Sequence, residues 1–396
     1  MMGLGPWRGK QDWPLHWLQV VNMIKMFGIQ ITPSYRQTLT LSWNSCFSGF
    51  RKTILSWQAR QLNTLIQRVQ VLKVFATSKL WYKASVLPLP SKFAKKFESL
   101  MGVFLWVGKL ERLQIDEVKN PCYAGGLGLP CVSSKANALF LKQTCRLIMS
   151  SDSKNYGHVR YWLGLHLRDY FPDMAEGPHA EIVCEYFQHM RLLLVEGLVL
   201  GDLSVDNIKM VTAKELYEGY TTTFPPPKVV YKYDVDWPLV WERLDYLSLD
   251  PLGREHLFSI IHNIVPNRER LHTKMNMVNT PNCSVCEVRE DNTHLFTECV
   301  MVREAWGWVR RRLLSLLSEE SARTSNFEFL CLIFEKHFMD KEAVWLVGTF
   351  VELVWVEKIQ RKRHVKINHI IGHLKLRYQA NQVSKKPLLG FIENIS

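Results

Sequence analysis

The sequence predicts a mainly α-helical protein made of several modules, with at most minor β structure. Residues 50–87 contain neither glycine nor proline, and apolar side chains recur in them at helical spacing. Strand-like alternation is confined to one short piece near residues 27–31. The chain has 396 residues, of which 47% are apolar and 12% aromatic. It is therefore long enough for two or three domains with real cores.

The individual helices follow from apolar periodicity and from the residues that end it. Residues 50–87 are expected to form one long helix or two abutting helices, which Pro88 ends. Further helices are expected at about 91–107 and at about 134–149.

Other segments carry local signals. Residues 1–48 are expected to be irregular apart from the short strand, and residues 221–228 are expected to be a proline-rich linker. The glycines at 125, 126 and 128 lack the lysine and spacing of a phosphate-binding loop, and they predict a backbone turn. Asp236 followed by Trp237-Pro238 predicts a helix start, after which helices dominate.

Positive charge is concentrated in two blocks. The formal net charge is +13. Residues 1–150 carry 20 Lys+Arg against 5 Asp+Glu, a net of +15, whereas residues 151–357 carry 21 against 31, a net of −10. Residues 358–386 carry 9 basic and no acidic residues. Such blocks favour binding to a polyanion, and we expect RNA, DNA or both as the partner.

One short segment has the ligands of a metal site. Cys283, Cys286, His294 and Cys299 follow the spacing Cys-x2-Cys-x7-His-x4-Cys, which gives three thiolates and one imidazole. Four ligands complete a closed tetrahedral zinc site and leave no open position for catalysis. The alternative is a set of ordinary buried thiols with a chance histidine. We expect one structural zinc ion, so the predicted fold includes a small Cys3His zinc knot.

The basic residues expected to contact nucleic-acid phosphates lie in both positive blocks. Each could instead belong to the solvated face of an amphipathic helix. In the first block we expect Arg68, Lys79 and Lys83 to share one helix face. The full expected set is Arg68, Lys73, Lys79, Lys83, Lys92, Lys95, Lys96, Arg361, Lys362 and Arg363.

Several classes of protein are disfavoured. Nine cysteines without a secretory signal indicate reduced thiols and an intracellular protein, in the nucleus or the cytoplasm. No apolar run reaches membrane-spanning length, and residues 343–356 predict a buried helix. We expect neither a membrane nor a small-molecule substrate as partner. The sequence has no adjacent pair of aspartates for two-metal chemistry and no nucleophile–base motif.

Short phrases along the chain occur in an order that is more specific than any one of them. The match extends from about residue 25 to about residue 310 and ends at the cysteine–histidine segment. The phrases are Phe27-Gly28-Ile29, Trp57, Arg68-Val69-Gln70-Val71-Leu72-Lys73, Leu80-Trp81-Tyr82, Leu87-Pro88-Leu89-Pro90, Phe104-Leu105-Trp106 with Gly108-Lys109, Gly125-Gly126-Leu127-Gly128-Leu129-Pro130, Trp241, Leu257-Phe258 and Asn267-Arg268-Glu269-Arg270-Leu271.

In this order the phrases resemble the C-terminal part of the reverse transcriptases of LINE-class (non-LTR) retrotransposons. The resemblance implies a thumb that grips the template–primer duplex, a helical connector and a terminal zinc-bearing domain that contacts RNA and target DNA. The family's catalytic carboxylates and endonuclease have no counterpart in this sequence. A glycine usual in the family is also missing from residues 61–68. We therefore expect a truncated or domesticated product of such an element.

The resemblance also implies an organisation into five segments. Residues 1–48 would be the edge of the palm, 49–150 a basic thumb-like helical domain and 151–235 a connector. Residues 236–312 would be the zinc-binding domain and 313–396 a C-terminal helical region with a basic tail.

The expected function is non-catalytic binding of RNA or DNA. The first alternative is a zinc-stabilised scaffold for protein interactions. The second is part of an active RNA-directed DNA polymerase, when the chain works with a catalytic half in trans.

Overall fold

A computed structural model of the chain is mainly helical, as the sequence predicts. The structure describes residues 22–60, 62–107, 113–149, 156–169, 184–199, 208, 210–221, 224–231, 235–246, 251–316, 325–326, 330 and 341–380. The predicted palm-edge residues before 22, the basic residues after 380 and much of the predicted connector lie outside this part. None of the described helices is long and apolar enough to cross a membrane.

The described residues form two compact units. The first unit comprises Met1–Leu62, Arg68–Leu110 and Leu129–Phe224, and the second comprises Asn63–Gln67, Glu111–Gly128 and Pro225–Ser396. The predicted basic module at 49–150 is thus divided between them.

The first unit begins with a hairpin and continues as helices. Strands β1 (Ile24–Met26) and β2 (Ile29–Ile31) pair antiparallel, so Phe27 and Gly28 form the turn of the predicted strand-like piece. The helices that follow are α1 (Tyr35–Gln58), α2 (Leu65–Val71), α3 (Ser78–Val86), α4 (Ser91–Trp106), and, after α5 of the second unit, α6 (Val132–Met149), α7 (Tyr156–Leu167), α8 (Glu185–Val199) and α9 (Ala213–Thr221). The first three residues of α2 are counted with the second unit and the rest of it with the first.

The helices expected at 91–107 and 134–149 are confirmed by α4 and α6, but two expectations nearby are wrong. Residues 35–48 are the first half of α1 and are not irregular. Residues 50–87 form neither one helix nor two abutting helices, because the chain breaks after α1 and a π-helical turn at Leu72–Ala76 separates α2 from α3. The break is fixed by a capping box, in which Thr64 Oγ1 accepts from Gln67 N at 3.1 Å and Gln67 Oε1 accepts from Thr64 N at 3.3 Å.

Aromatic packing closes the core of the first unit. Phe97 makes edge-to-face contacts with Trp43 and Phe50, at ring-centroid distances of 6.2 and 5.0 Å. All three side chains are buried, and Trp43 Nε1 donates to the Pro88 carbonyl at 3.0 Å. The prolines that end α3 are thereby tied to the middle of α1.

The second unit carries the remaining helices. They are α5 (Ile115–Lys119), α10 (Trp237–Tyr246), α11 (Pro251–Ile261), α12 (Arg268–Thr273), α13 (Arg303–Leu316), α14 (Lys341–Leu353) and α15 (Ile367–Ala380). The predicted start of α10 is confirmed, since Asp236 Oδ1 accepts from Leu239 N at 3.3 Å. Helix α14 is the predicted buried helix, and Phe350 on it packs against Trp306 with ring centroids 5.3 Å apart.

The glycine-rich segment is a backbone turn, as predicted. Gly126 lies so close to the Asn120 carbonyl that a Cβ would come within 1.9 Å of that oxygen. Gly125 has φ +84° and packs on Trp241. Asn120 Nδ2 donates to the Pro225 carbonyl at 3.1 Å. These contacts explain why residues 113–128 belong with the second unit and not with the basic helices.

Candidate metal centre

The first two cysteines of the group lie in a tight turn. Cys283 N donates to the Val288 carbonyl at 2.7 Å, and Glu287 N donates to the Cys283 carbonyl at 3.0 Å. Glu287 adopts a left-handed backbone with φ 61°, which reverses the chain just after Cys286. The sulfurs of Cys283 and Cys286 both come close to that of Cys299.

A π-helical turn at His294–Glu298 brings the other two ligands together. Along an α-helix, residues five apart point about 140° away from each other. In the π turn, Cys299 N donates to the His294 carbonyl at 2.9 Å, which is the i→i+5 bond of such a turn. Asp291 Oδ1 caps the turn by accepting from His294 N at 2.7 Å. The spacing of four residues between histidine and cysteine is therefore matched to this geometry.

The four ligand atoms converge. The Sγ atom of Cys299 lies 3.9 Å from that of Cys283 and 3.7 Å from that of Cys286. All four ligand atoms of the group lie within 4.8 Å of one another. Cys283, His294 and Cys299 are buried, and Cys286 is half-buried. Such a group can hold one metal ion.

His294 is poised as a neutral ligand. Its Nε2 atom is buried and finds no hydrogen-bond partner among the described residues. Burial lowers the pKa of His294, and the nearby Lys358 ammonium lowers it further, against the opposing effect of Glu290, Glu298 and Asp291. A neutral imidazole keeps a lone pair for a metal, whereas a protonated ring has none.

Two asparagines attach the metal-binding segment to the rest of its unit. Asn267 Nδ2 donates to Asn292 Oδ1 at 2.7 Å, and Asn292 Nδ2 donates to the Ile260 carbonyl at 3.2 Å. Asn267 Oδ1 also accepts from Arg270 N at 2.8 Å, which caps α12. Because both amides are buried and paired, they fix where the segment sits on α11.

The C-terminal region supplies a third attachment. Lys358 is buried, and its Nζ donates to the Leu295 carbonyl at 2.8 Å, within the π turn that carries His294. Val365 N donates to the Met301 carbonyl at 2.9 Å, just beyond Cys299. Lys358 belongs to the second positive block of the sequence, whose charge count gave no sign of this role. The position of Asn267 before a helix was the available signal for its capping role.

Two of the basic residues predicted to meet phosphate have partners inside the first unit. Arg68 Nη1 donates to the Leu105 carbonyl at 2.7 Å, and its Nε and Nη2 donate to the Leu62 carbonyl at 3.3 and 3.1 Å. Lys83 is buried and donates to the Ser42 carbonyl at 3.1 Å, and burial lowers its pKa. The expected shared face of Arg68, Lys79 and Lys83 is not formed, because the π turn breaks the helical register and Lys79 alone of the three is exposed.

Four of the other five predicted contacts in the first unit are exposed. Lys92, Lys95 and Lys96 are exposed within the first two turns of α4. Lys73 is half-buried in the π turn and Lys79 is exposed.

The predicted contacts near the C-terminus are also at the surface. Arg361, Lys362 and Arg363 are exposed. Arg361 Nη1 lies 2.7 Å from a carboxylate oxygen of the buried Glu357, so its charge is already compensated. Lys362 has a left-handed backbone with φ 56°, in the turn that precedes α15.

The chain matches no known protein-family model and no curated protein sequence.

Proposed function

We propose that Cys283, Cys286, His294 and Cys299 bind one zinc ion. A donor set of three thiolates and one imidazole selects zinc over hard cations, which prefer oxygen ligands. With zinc–sulfur distances of about 2.3 Å, a tetrahedral site has sulfur–sulfur edges of about 3.8 Å. The observed separations of 3.9 and 3.7 Å agree with that edge.

The role proposed for this zinc is structural. Four protein ligands fill a tetrahedral shell, so no position is left for a water or a substrate. The apolar side chains beside Cys283 and Cys286, Val285 and Val288, are about half exposed, so metal binding would supply stabilisation that packing does not give this turn.

We further propose that the first unit binds RNA or DNA through phosphate contacts. The observation that carries this proposal is the position of Lys92, Lys95 and Lys96 at the start of α4, where no acidic residue lies in the first turn. The helix dipole makes this end positive, and three lysines there oppose helix stability. Such an arrangement suits an anion bound to the helix end and the ammonium groups.

The order of phrases along the sequence supports a more specific assignment. We propose that the chain corresponds to the thumb, connector and terminal zinc domain of a LINE-class reverse transcriptase. In this proposal the chain holds nucleic acid and leaves catalysis to a polymerase that acts in trans.

A titration with labelled RNA, DNA and RNA–DNA duplexes at two salt concentrations tests nucleic-acid binding. The proposal predicts an affinity that falls steeply with salt and depends little on sequence. An absence of binding to all three at low salt would refute it.

A second candidate function is a zinc-stabilised scaffold for protein partners. It is favoured by apolar side chains exposed on the metal-binding segment, where Val285 and Val288 are each about half exposed. Substituting both by serine would abolish partner binding under this reading and leave nucleic-acid binding unchanged under the first.

A further inference from the structure

Three side chains of the first unit form a contiguous, partly exposed group. The guanidinium carbon of Arg60 lies 4.4 Å from the ring centroid of Trp57. The Trp57 ring in turn lies 4.8 Å from the ring of Phe75, with an interplanar angle of 35°. Trp57 belongs to the last turn of α1, Arg60 follows that helix, and Phe75 lies in the π turn at Leu72–Ala76. We call Trp57, Arg60 and Phe75 the aromatic platform.

The π turn is what leaves the platform open. Leu72 and Ala76 are fully buried, whereas Val74 and Phe75 between them are 56% and 46% exposed. Two consecutive large apolar residues thus face solvent, together with Leu55 of α1 at 52%. π-Helical turns occur frequently at functional sites, and exposed apolar patches in a folded protein mark binding surfaces.

The chain segments that carry the platform are strongly basic. Between residues 22 and 107, the described part of the chain has twelve Lys+Arg and a single acid, Glu98. Helix α1 contains no acidic residue, and Arg51 and Lys52 on it are exposed. Lys73 lies within the π turn itself. The occupant of the platform must therefore combine a flat apolar face with negative charge.

We propose that the aromatic platform stacks an unpaired base of single-stranded nucleic acid, whose phosphates lie along Lys73 and the basic residues of α1. Aromatic rings interleaved with cations are the usual construction of single-strand binding sites. A guanidinium that already lies on an indole offers a second planar surface of the same kind. This inference rests on the proposed nucleic-acid binding and adds the ligand's strandedness and the site that reads it.

The charge pattern decides against a protein helix as the occupant. A peptide helix that covered Leu55, Val74 and Phe75 would need its own apolar stripe flanked by many acids. A nucleotide supplies one flat base and one negative charge at each step, which fits a small platform in a basic field.

Binding of single-stranded, abasic and fully paired oligonucleotides of about 12 nucleotides tests the inference. The informative variants are Phe75→Leu, which removes a ring but keeps an apolar side chain, and Arg60→Lys, which keeps the charge but loses the plane. Arg146→Lys, at an exposed arginine of α6, and Tyr123→Leu, at an exposed aromatic of the second unit, are matched controls.

Both platform variants should weaken binding to the single strand about tenfold and leave duplex and abasic binding nearly unchanged. The controls should bind all three ligands like the wild type. A 4-thiouracil base in the single strand should crosslink to peptides that contain Trp57 or Phe75.

Equal binding of the single strand by wild type and both platform variants would overturn the platform while leaving nucleic-acid binding in place. If the wild type bound none of the three ligands, the proposed nucleic-acid binding itself would be refuted. Capture of an acidic helical peptide, but not of the single strand, would assign the surface to a protein and overturn the inference.

Discussion

Buried polar groups have different roles in the basic helices of the first unit and in the metal-binding segment of the second unit. In the first unit, Arg68 and Lys83 turn inward onto backbone carbonyls around a core closed by Phe97 and its aromatic neighbours. In the metal-binding segment, the potential ligands Cys283, His294 and Cys299 are themselves buried, beside the paired amide of Asn292. The first unit should therefore fold without metal, and the segment should not. A buried lysine does not by itself distinguish the two regions, because Lys83 in the first unit and Lys358 in the second both donate to backbone carbonyls.

The largest difference between the two regions should appear on removal of metal. Chelation, or Cys299→Ser, should abolish the metal-dependent stability of residues 281–302, which for structural zinc is on the order of 10 kcal/mol. Hydrogen exchange should show lost protection in this segment, while α1 and α4 stay protected. Cys184→Ser, at a half-buried cysteine of the first unit, is the matched control. Equal loss of protection in α4 would contradict the separation.

A pair of charge reversals should distinguish buried from exposed lysines in the first unit. Lys83→Glu places a carboxylate where Nζ now donates to the Ser42 carbonyl, and it should lower the free energy of unfolding by about 3–5 kcal/mol. Lys79→Glu, four residues earlier and exposed, should change stability by less than about 0.5 kcal/mol. Denaturant unfolding measures both. Similar stabilities would mean that Lys83 is not buried in solution.

Two buried histidines of the second unit, His262 and His294, differ in their surroundings. His262 stacks between Trp241 and Phe258, and burial lowers its pKa to about 4, whereas His294 lies against the cysteines. A lowered folded-state pKa gives His262 a contribution that is complete above the unfolded-state value of about 6.5 and is lost as pH falls toward 4.

This loss should amount to at most about 3 kcal/mol. The carboxyl group of Glu117, whose Oε2 lies 3.9 Å from His262 Nδ1, has the opposite pH dependence. Burial raises the pKa of Glu117, so the stability that its protonated form contributes is lost as pH rises and returns as pH falls. His262→Phe keeps the stacking and removes the titration, so its free energy of unfolding should depend less on pH over this window. An unchanged pH dependence would rule out this role.

The smallest expected effect is the loss of nucleic-acid affinity when exposed basic residues are neutralised, and it should differ between α4 and the turn before α15. Replacing Lys92, Lys95 and Lys96 together by glutamine should weaken nucleic-acid binding at least tenfold and reduce the salt slope by about 2–3. The same change at Arg361, Lys362 and Arg363 should have less effect, because Arg361 already pairs with Glu357. Titrations at several salt concentrations measure both slopes. A larger effect of the second triple variant would show that the main phosphate contacts lie in the second unit.

Local patterns in the sequence predicted most helices and the metal ligands, since apolar periodicity and ligand spacing are properties of short segments. The break before α2 was also encoded, in Thr64-x-x-Gln67, but the absence of glycine and proline outweighed that capping signal. The first half of α1 was missed because several of its buried positions are Thr38, Ser42 and Cys46, which give little apolar periodicity.

The supports of the site could not be predicted from local pattern. The bond from Lys358 to the Leu295 carbonyl joins residues 63 positions apart, and that between Asn267 and Asn292 joins residues 25 apart. Only the folded chain reveals that the Lys83 charge points inward. The π turns that expose Phe75 and align His294 with Cys299 likewise depend on the packing around them.

Metal analysis of the purified full chain tests the central claim most directly. Mass spectrometry of the native protein, together with elemental analysis, should find one zinc ion per wild-type chain and a clear loss of zinc in Cys283→Ser. A folded wild-type chain without bound metal, or an undiminished zinc content in Cys283→Ser, would contradict the account.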